Sequence, residues 1–327
     1  MKYRYLNSSA SDCLRKLKLE NTRLCGADIG KLLQVMPRQD GQPRNMHFEA
    51  GRNRLEDGHD EFLLAVKNGW TPRSFSLAGT EYRNGWHFKG LLDAIHENTT
   101  IQHLDISKIA LKELLTPTQS EKISNSIYLM ICQNWTLETL DFSGYATRFE
   151  DNNVIDPNIQ HLLSALTENK SLRYLDISQR DLFKGGCHLA EAIRKNDTLL
   201  EIRCDDTHVS LEDFTEVVNA VESNFKITFL SDMEKSKQAS LADFPHSPAS
   251  KRFERRQSFT MSLISSVDRK LRNTRGKVPK AKRQSLQLQR ARARSNDEDA
   301  TMAAWTAQQL RLASYLARNK KIGGRRC

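Results

Sequence analysis

The chain has 327 residues, 28% of them charged, and its 50 Lys+Arg and 40 Asp+Glu are unevenly placed: residues 1–232 carry net −6 and residues 233–327 carry net +16. That asymmetry calls for an anionic partner of the C-terminal part and leaves the fold open. No segment approaches the ~18 apolar residues of a membrane span, and the N-terminal stretch MKYRYLNSSASDCLRKLKLE has no apolar core of signal-peptide length. The six cysteines (Cys13, Cys25, Cys132, Cys187, Cys204, Cys327) show neither metal-ligand spacing nor Cys-x-x-Cys, so they predict buried thiols in a reducing, cytoplasmic setting.

In chain order, the first apolar signal is Leu14, Leu17, Leu19 and Leu24, an L-x-x-L-x-L pattern with one further leucine. Looser copies follow at Phe48, Ala50, Asn53 and Leu55, and at Phe75, Leu77 and Tyr82. No polar cap precedes the first strand, so either upstream repeats are missing from this chain or Met1–Ser11 covers the edge.

A recurrent mark then appears: Asn98-Thr-Thr-Ile101, Asn134-Trp-Thr-Leu137, Asn169-Lys-Ser-Leu172, Asn196-Asp-Thr-Leu199 and Asn224-Phe-Lys-Ile227. Each asparagine ends an amphipathic segment, such as Leu162, Leu163 and Leu166, where a left-handed helix cap is expected. Each then opens a strand of period two: Ile101, Leu104, Ile106; Leu137, Leu140, Phe142; Leu172, Leu175, Ile177; Leu199, Ile202, Cys204. The strand starts are spaced 36, 35, 27 and 28 residues apart, which places insertions near 114–124 and 145–157. A unit of this size cannot bury its apolar face alone, so strands stack on strands and helices on helices. The prediction for residues 10–232 is an α/β leucine-rich-repeat solenoid, a horseshoe with parallel strands inside and helices outside.

The tracts L-D-I-S at 104–107 and 175–178 and L-D-F-S at 140–143 resemble the ribonuclease-inhibitor type of leucine-rich repeat, found also in tropomodulin, the GTPase activator of Ran and the CARMIL actin regulators. Over the whole chain, including Trp305 to Asn319, the resemblance is to fungal CARMIL-like leucine-rich-repeat proteins. It implies a non-catalytic protein-binding scaffold at the actin cortex, or alternatively a regulator of a GTPase or an actin-nucleating complex acting through the solenoid surface. Nothing here matches the Ran activator's functional positions residue by residue.

Between the apolar strand positions lie residues expected on the concave face, with Asp105, Glu138, Asp141, Tyr174, Asp176, Glu201 and Arg203 as candidate binding residues. Three aspartates would stack in register, and two readings stand: a site for a basic ligand, since like charges on adjacent strands are unfavourable without one, or the residue this repeat class writes at that turn. The four N-x-Ser/Thr sites (Asn7, Asn98, Asn134, Asn196) mostly coincide with the repeat punctuation. No H-E-x-x-H, zinc spacing or Gly-x-Ser-x-Gly occurs, so neither a catalytic residue, a metal nor a cofactor is expected.

From residue 233 to 294 the periodicity stops, and residues 251–294 carry net +13, which predicts a disordered basic linker. Within it, Phe259, Leu263, Val267 and Leu271 at helical spacing, flanked by Arg255, Arg256, Arg269 and Lys270, suit an anionic membrane surface or another polyanion. Nucleic acid fits poorly because aromatic residues are not interleaved with the basic ones. Arg255-Arg256-Gln257-Ser258 and Lys282-Arg283-Gln284-Ser285 resemble substrates of basophilic kinases, making Ser258 and Ser285 candidate phosphorylation sites. At 295–319, Ser295 and Glu298 are spaced as a capping box, and Met302, Trp305, Leu312 and Leu316 predict an amphipathic C-terminal helix. Its stripe of Trp305, Leu312 and Tyr315 needs either the solenoid or another chain to cover it.

Overall fold

The computed structural model describes residues 13–144, 159–180, 182, 185–207, 209–231, 233, 237–238 and 280–324, with the side chains of 280–296 and 298 outside the description. Strands β1 (Lys16–Lys18), β2 (His47–Glu49), β3 (Ser74–Ser76), β5 (His103–Asp105), β7 (Thr139–Asp141), β8 (Tyr174–Asp176), β9 (Glu201–Arg203) and β10 (Phe229–Leu230) form one eight-stranded parallel sheet in that order. Helices α1 (Gly26–Gln34), α2 (His59–Lys67), α3 (Gly85–Glu97), α4 (Pro117–Gln133), α5 (Ile159–Leu166), α6 (Gly186–Lys195) and α7 (Leu211–Ser223) alternate with them. A second pair, β4 (Glu81–Tyr82) with β6 (Ala110–Leu111), lies beside the sheet. This is the expected leucine-rich-repeat solenoid.

The second residue of each strand points to the core side in a single register: Leu17, Phe48, Phe75, Leu104, Leu140, Leu175, Ile202 and Leu230, with Leu17 partly buried at the edge and the others buried. Its neighbours two residues on, from Ala50 to Cys204, are buried as well, as period-two alternation requires. The insertion near 114–124 lengthens α4 to 17 residues. Its start is set by Pro117 and a capping box, in which Gln119 N donates to Thr116 Oγ1 at 3.2 Å and Thr116 N donates to Gln119 Oε1 at 3.0 Å. The insertion at 145–157 lies outside the described residues.

The five asparagines are not left-handed caps. Asn98, Asn134, Asn196 and Asn224 are extended, with φ between −75 and −92°, because an extended backbone lets each side chain bridge two repeats. Asn196 Nδ2 donates to Leu166 O at 2.7 Å and Asn169 O at 3.1 Å, while its Oδ1 accepts from Leu199 N at 2.7 Å and Thr198 N at 2.9 Å. Asn134 and Asn224 repeat the pattern with Asn98 O and Asn196 O. The result is a buried asparagine ladder that satisfies helix-end carbonyls and strand-start amides together. Left-handed residues stand at the other end of the strand, three residues past it: Asn21, Arg52, Gly79, Lys108, Gln179 and Asp206, with φ of 54 to 68°. For the non-glycines this costs about 1–2 kcal/mol each. Backbone bonds to the next turn hold them, such as Lys108 N to Ser143 O at 2.8 Å and Gln179 N to Asp205 O at 2.7 Å.

The C-terminal helix α8 (Lys280–Gly323) begins fifteen residues before the expected Ser295, so the linker drawn to 294 is corrected at its end. Residues 280–294, KAKRQSLQLQRARAR, are nearly all strong helix formers without Gly or Pro, and their propensity outweighs the cap signal at Ser295. The linker's start moves too, since Met233 is fully buried. The expectation of buried thiols holds for Cys204 alone among the described cysteines: Cys13 and Cys187 are exposed and Cys25 and Cys132 half-buried, because they fall at element edges where the repeat does not dictate an inward position.

Helix α8 covers the apolar end of the last repeat. Trp305 is fully buried and stacks on Phe214 with ring centroids 4.9 Å apart and an interplanar angle of 21°, and Leu312 is buried beside it. Asn319 Nδ2 donates to Asn224 O at 2.8 Å and to Ile227 O at 2.7 Å, so the helix carries the ladder one step past the last repeat. The amphipathic stripe therefore finds its cover in the solenoid itself.

Candidate protein-binding surface

The strand residues on either side of the core position form parallel rows on the concave face. One row is Lys16, His47, Ser74, His103, Thr139, Tyr174, Glu201 and Phe229; the other is Lys18, Glu49, Ser76, Asp105, Asp141, Asp176 and Arg203. The three aspartates are thus direct cross-strand neighbours, with Arg203 next to Asp176. Each also closes a turn: Asp105 Oδ1 accepts from Ser107 N at 3.0 Å and Ser107 Oγ at 2.6 Å, Asp141 Oδ1 accepts from Ser143 N at 3.0 Å and Ser143 Oγ at 2.7 Å, and Asp176 Oδ1 accepts from Ser178 N at 2.9 Å. One oxygen of each carboxylate is thus engaged in its own turn, and Asp105 Oδ2 also accepts from Ser76 Oγ at 2.8 Å. Burial raises the pKa of Asp141 above the usual carboxylate range, and the charges of Asp105 and Asp176 push it further the same way against the two serine bonds.

The aromatic residues distinguish one part of this face. Tyr174 is 39% exposed, Phe229 is 37% exposed, and Trp135, on the loop entering β7, is 75% exposed. The Arg203 guanidinium lies 5.9 Å from the Phe229 ring centroid. Beside Trp135, a cavity of about 480 Å³ is lined by Glu138, Lys170, Arg173, Asp197, Leu200 and Lys226 among others, with Lys170 Nζ 2.9 Å from Asp197 Oδ1. All seven concave candidates therefore fall on β5 to β9 and the segment leading into β7. Phe229 extends one of these rows and Arg173 immediately precedes Tyr174 of β8, while Trp135 lies on the loop entering β7 and shares the cavity lining with Arg173.

The opposite half is polar. His47 Nδ1 is 2.7 Å from Ser74 Oγ and its Nε2 is 3.1 Å from Glu49 Oε1, with Lys16 Nζ 2.5 Å and Lys18 Nζ 3.4 Å from the same carboxylate. The Lys16 bond holds the Glu49 pKa below its ordinary value despite its partial burial. His103 Nδ1 makes the equivalent contact to Thr139 Oγ1 at 3.0 Å. Among the described residues, no group of three or more His, Cys, Asp or Glu side chains is placed to hold a metal ion, and no helix is long and apolar enough to cross a membrane. Arg255, Arg256, Ser258, Phe259, Leu263, Arg269 and Lys270 lie outside the described residues, and Ser285 falls on the α8 backbone with its side chain outside the description.

No protein-family model and no curated protein matches the chain. Among solved structures, it is similar to the tropomodulin C-terminal domain of Caenorhabditis elegans, at 14% identity and TM-score 0.37 over 50% of this chain and 90% of that one. It is similar also to actin-binding site 2 of leiomodin-1, at 18% identity and TM-score 0.37 over 56% and 94%. Likeness at that level carries no argument about function.

Proposed function

We propose that this chain is a non-catalytic scaffold whose concave face, from β7 to β10, binds a protein partner. The observation that carries the reading is the exposure of Tyr174 and Phe229 in one row of the sheet on either side of Glu201, with Arg203 in the neighbouring row, and of Trp135 on the loop entering β7, where it lines a cavity with Arg173. Aromatic residues and arginine with a polar surround are the composition of interface hot spots. The chain Ser74–His47–Glu49 has the order hydroxyl, imidazole, carboxylate, but it supports the same reading. Its carboxylate is shared with two lysines, its hydroxyl sits mid-sheet where backbone amides serve the strand ladder, and the same pairing recurs at His103–Thr139 with no carboxylate bond.

The second element of the proposal is contact of the basic segment with an anionic membrane or another polyanion, supported by the net +13 over residues 251–294. By the resemblance of the L-D-I-S tracts, the setting is the actin cortex. The test is site-specific photocrosslinking in cells with the reactive residue at position 174 or, as a control on the helical side, at position 64, where Leu64 is 51% exposed. A discrete adduct at 174 that is absent at 64 is the expected result; no adduct at 174, or the same pattern at both, overturns the reading.

A further inference from the structure

Helix α8 is held to α7 by two arginines on the same side as one hydroxyl. Arg311 Nη2 donates to Asn219 Oδ1 at 3.1 Å and to Glu222 Oε2 at 3.3 Å. Arg318 Nη1 donates to Glu222 O at 3.0 Å and its Nη2 to Val221 O at 3.3 Å, while its guanidinium lies 4.4 Å over the Phe225 ring. These are carbonyls at the end of α7, where a cation is favoured twice, by hydrogen bonds and by the helix dipole. Ser314 stands between them, three residues after Arg311 and four before Arg318, the two spacings at which helix side chains meet. It is exposed, and its Oγ donates to Arg311 O at 2.7 Å.

The segment Arg311-Leu312-Ala313-Ser314 has a basic residue three positions ahead of the hydroxyl, as Arg255 is to Ser258 and Lys282 to Ser285. We propose that Ser314 is a phosphorylation site for an arginine-directed kinase, and that a phosphate there draws Arg311 and Arg318 off α7 and releases the cap. In the transfer, Oγ of Ser314 forms a bond to the γ-phosphorus of ATP, the bond to the departing ADP breaks, and the hydroxyl proton passes to the kinase's base. The phosphate brings about −1.5 to −2 charges and three acceptor oxygens, and a guanidinium pairs with it in a forked geometry that a single backbone carbonyl cannot match. Glu222, already beside Arg311, adds repulsion. The docked state is also imperfect, since Trp305 Nε1 is buried without an acceptor, and undocking gives that donor to water.

The proposal does not depend on the concave face, and its test uses no partner. The full chain carrying Ser258→Ala and Ser285→Ala is incubated with the catalytic subunit of cyclic-AMP-dependent kinase and magnesium ATP. The phosphate is mapped by mass spectrometry, and hydrogen exchange is followed in peptides covering 211–230 and 300–323. The expected result is phosphate at Ser314 with exchange in those peptides faster by about tenfold or more, the equivalent of losing one charge-assisted bond, while 100–142 is unchanged. Ser314→Ala, unphosphorylated, should exchange like its parent. No phosphate at Ser314 after prolonged incubation, a phosphate that leaves exchange as it was, or a Ser314→Ala chain as loose as the phosphorylated one overturns the proposal.

Discussion

Strands β1, β2, β3 and β5 and strands β7 to β10 share one register, yet the two halves of the solenoid place different side chains at matching positions. In the first half, Phe48 and Phe75 stand between Leu17 and Leu104 at the core positions and stack with centroids 5.7 Å apart, while His47, Ser74 and His103 face the groove. In the second half the register positions hold only aliphatic residues, Leu140, Leu175, Ile202 and Leu230, and Tyr174 and Phe229 stand outside, with Trp135 exposed on the loop entering β7. Core positions can trade Phe for Leu wherever volume is kept, because only burial is being selected. Concave positions are free of that demand, so their contents report on binding.

The largest expected effect tests whether the halves are one cooperative unit. Leu175→Asp places an unpaired carboxylate at a position 2% exposed, costing at least ~3–5 kcal/mol, and a urea melt followed by circular dichroism should lose both halves together. A melt that keeps half its amplitude would divide the solenoid in two. Next, Trp305→Ala removes the ring stacked on Phe214, with an expected cost of ~3 kcal/mol. Hydrogen exchange should rise in α7 and leave α1 and α2 untouched; a uniform rise would mean that α8 does not act as an end cap.

Smaller again is Asn169→Ala. It removes the donor to Ile131 O at 2.6 Å and the acceptor for Leu172 N at 2.8 Å and Ser171 N at 3.1 Å, leaving buried groups unpaired at ~2 kcal/mol in total. Restoring the amide with Asn169→Gln should recover little, because the longer side chain cannot reach both repeats.

The smallest effect is set by pH. In the first half, burial and the neighbouring His87 lower the pKa of His59. Its ring packs 4.7 Å from that of His87, which is bound to Glu56 at 2.8 Å. The unfolded chain then takes up the proton first, so the stability His59 contributes is present above its unfolded value of about 6.5 and is lost as pH falls through that value towards the lower folded one. Asp141 in the second half works in the opposite sense: its raised folded pKa means that protonation on acidification relieves the native state. Hydrogen exchange between pH 7.5 and 5.5 should therefore loosen α2 and α3 before β7 and β8, and His59→Gln should flatten the pH response of the first half.

Much of this was legible in the sequence. The register from Leu17 to Leu230 follows from period two and a repeating unit, and the concave positions of Asp105, Asp141, Asp176, Tyr174, Glu201 and Arg203 follow from it directly. The role of the repeat asparagines was not, since a residue between helix and strand fits either a left-handed cap or an extended bridge, and only the neighbouring repeat's carbonyls decide. The start of α8 was hidden by a cap signal at Ser295 competing with continuous helix formers before it. The exposure of Trp135 and Phe229 does not follow from spacing, because Trp135 lies on the loop before β7 and Phe229 opens the short last strand β10.

The central claim is that the second half of the concave face carries the binding energy. It is tested most directly by measuring, by isothermal titration, the affinity of the partner captured at position 174 for the wild-type chain, for Tyr174→Ala with Phe229→Ala, and for His47→Ala with His103→Ala. The account predicts a loss of at least about tenfold for the aromatic pair, since hot-spot truncations cost roughly 2 kcal/mol or more, and little change for the histidine pair at equal melting temperature. An unchanged affinity for the aromatic pair, or an equal loss for both, would contradict it.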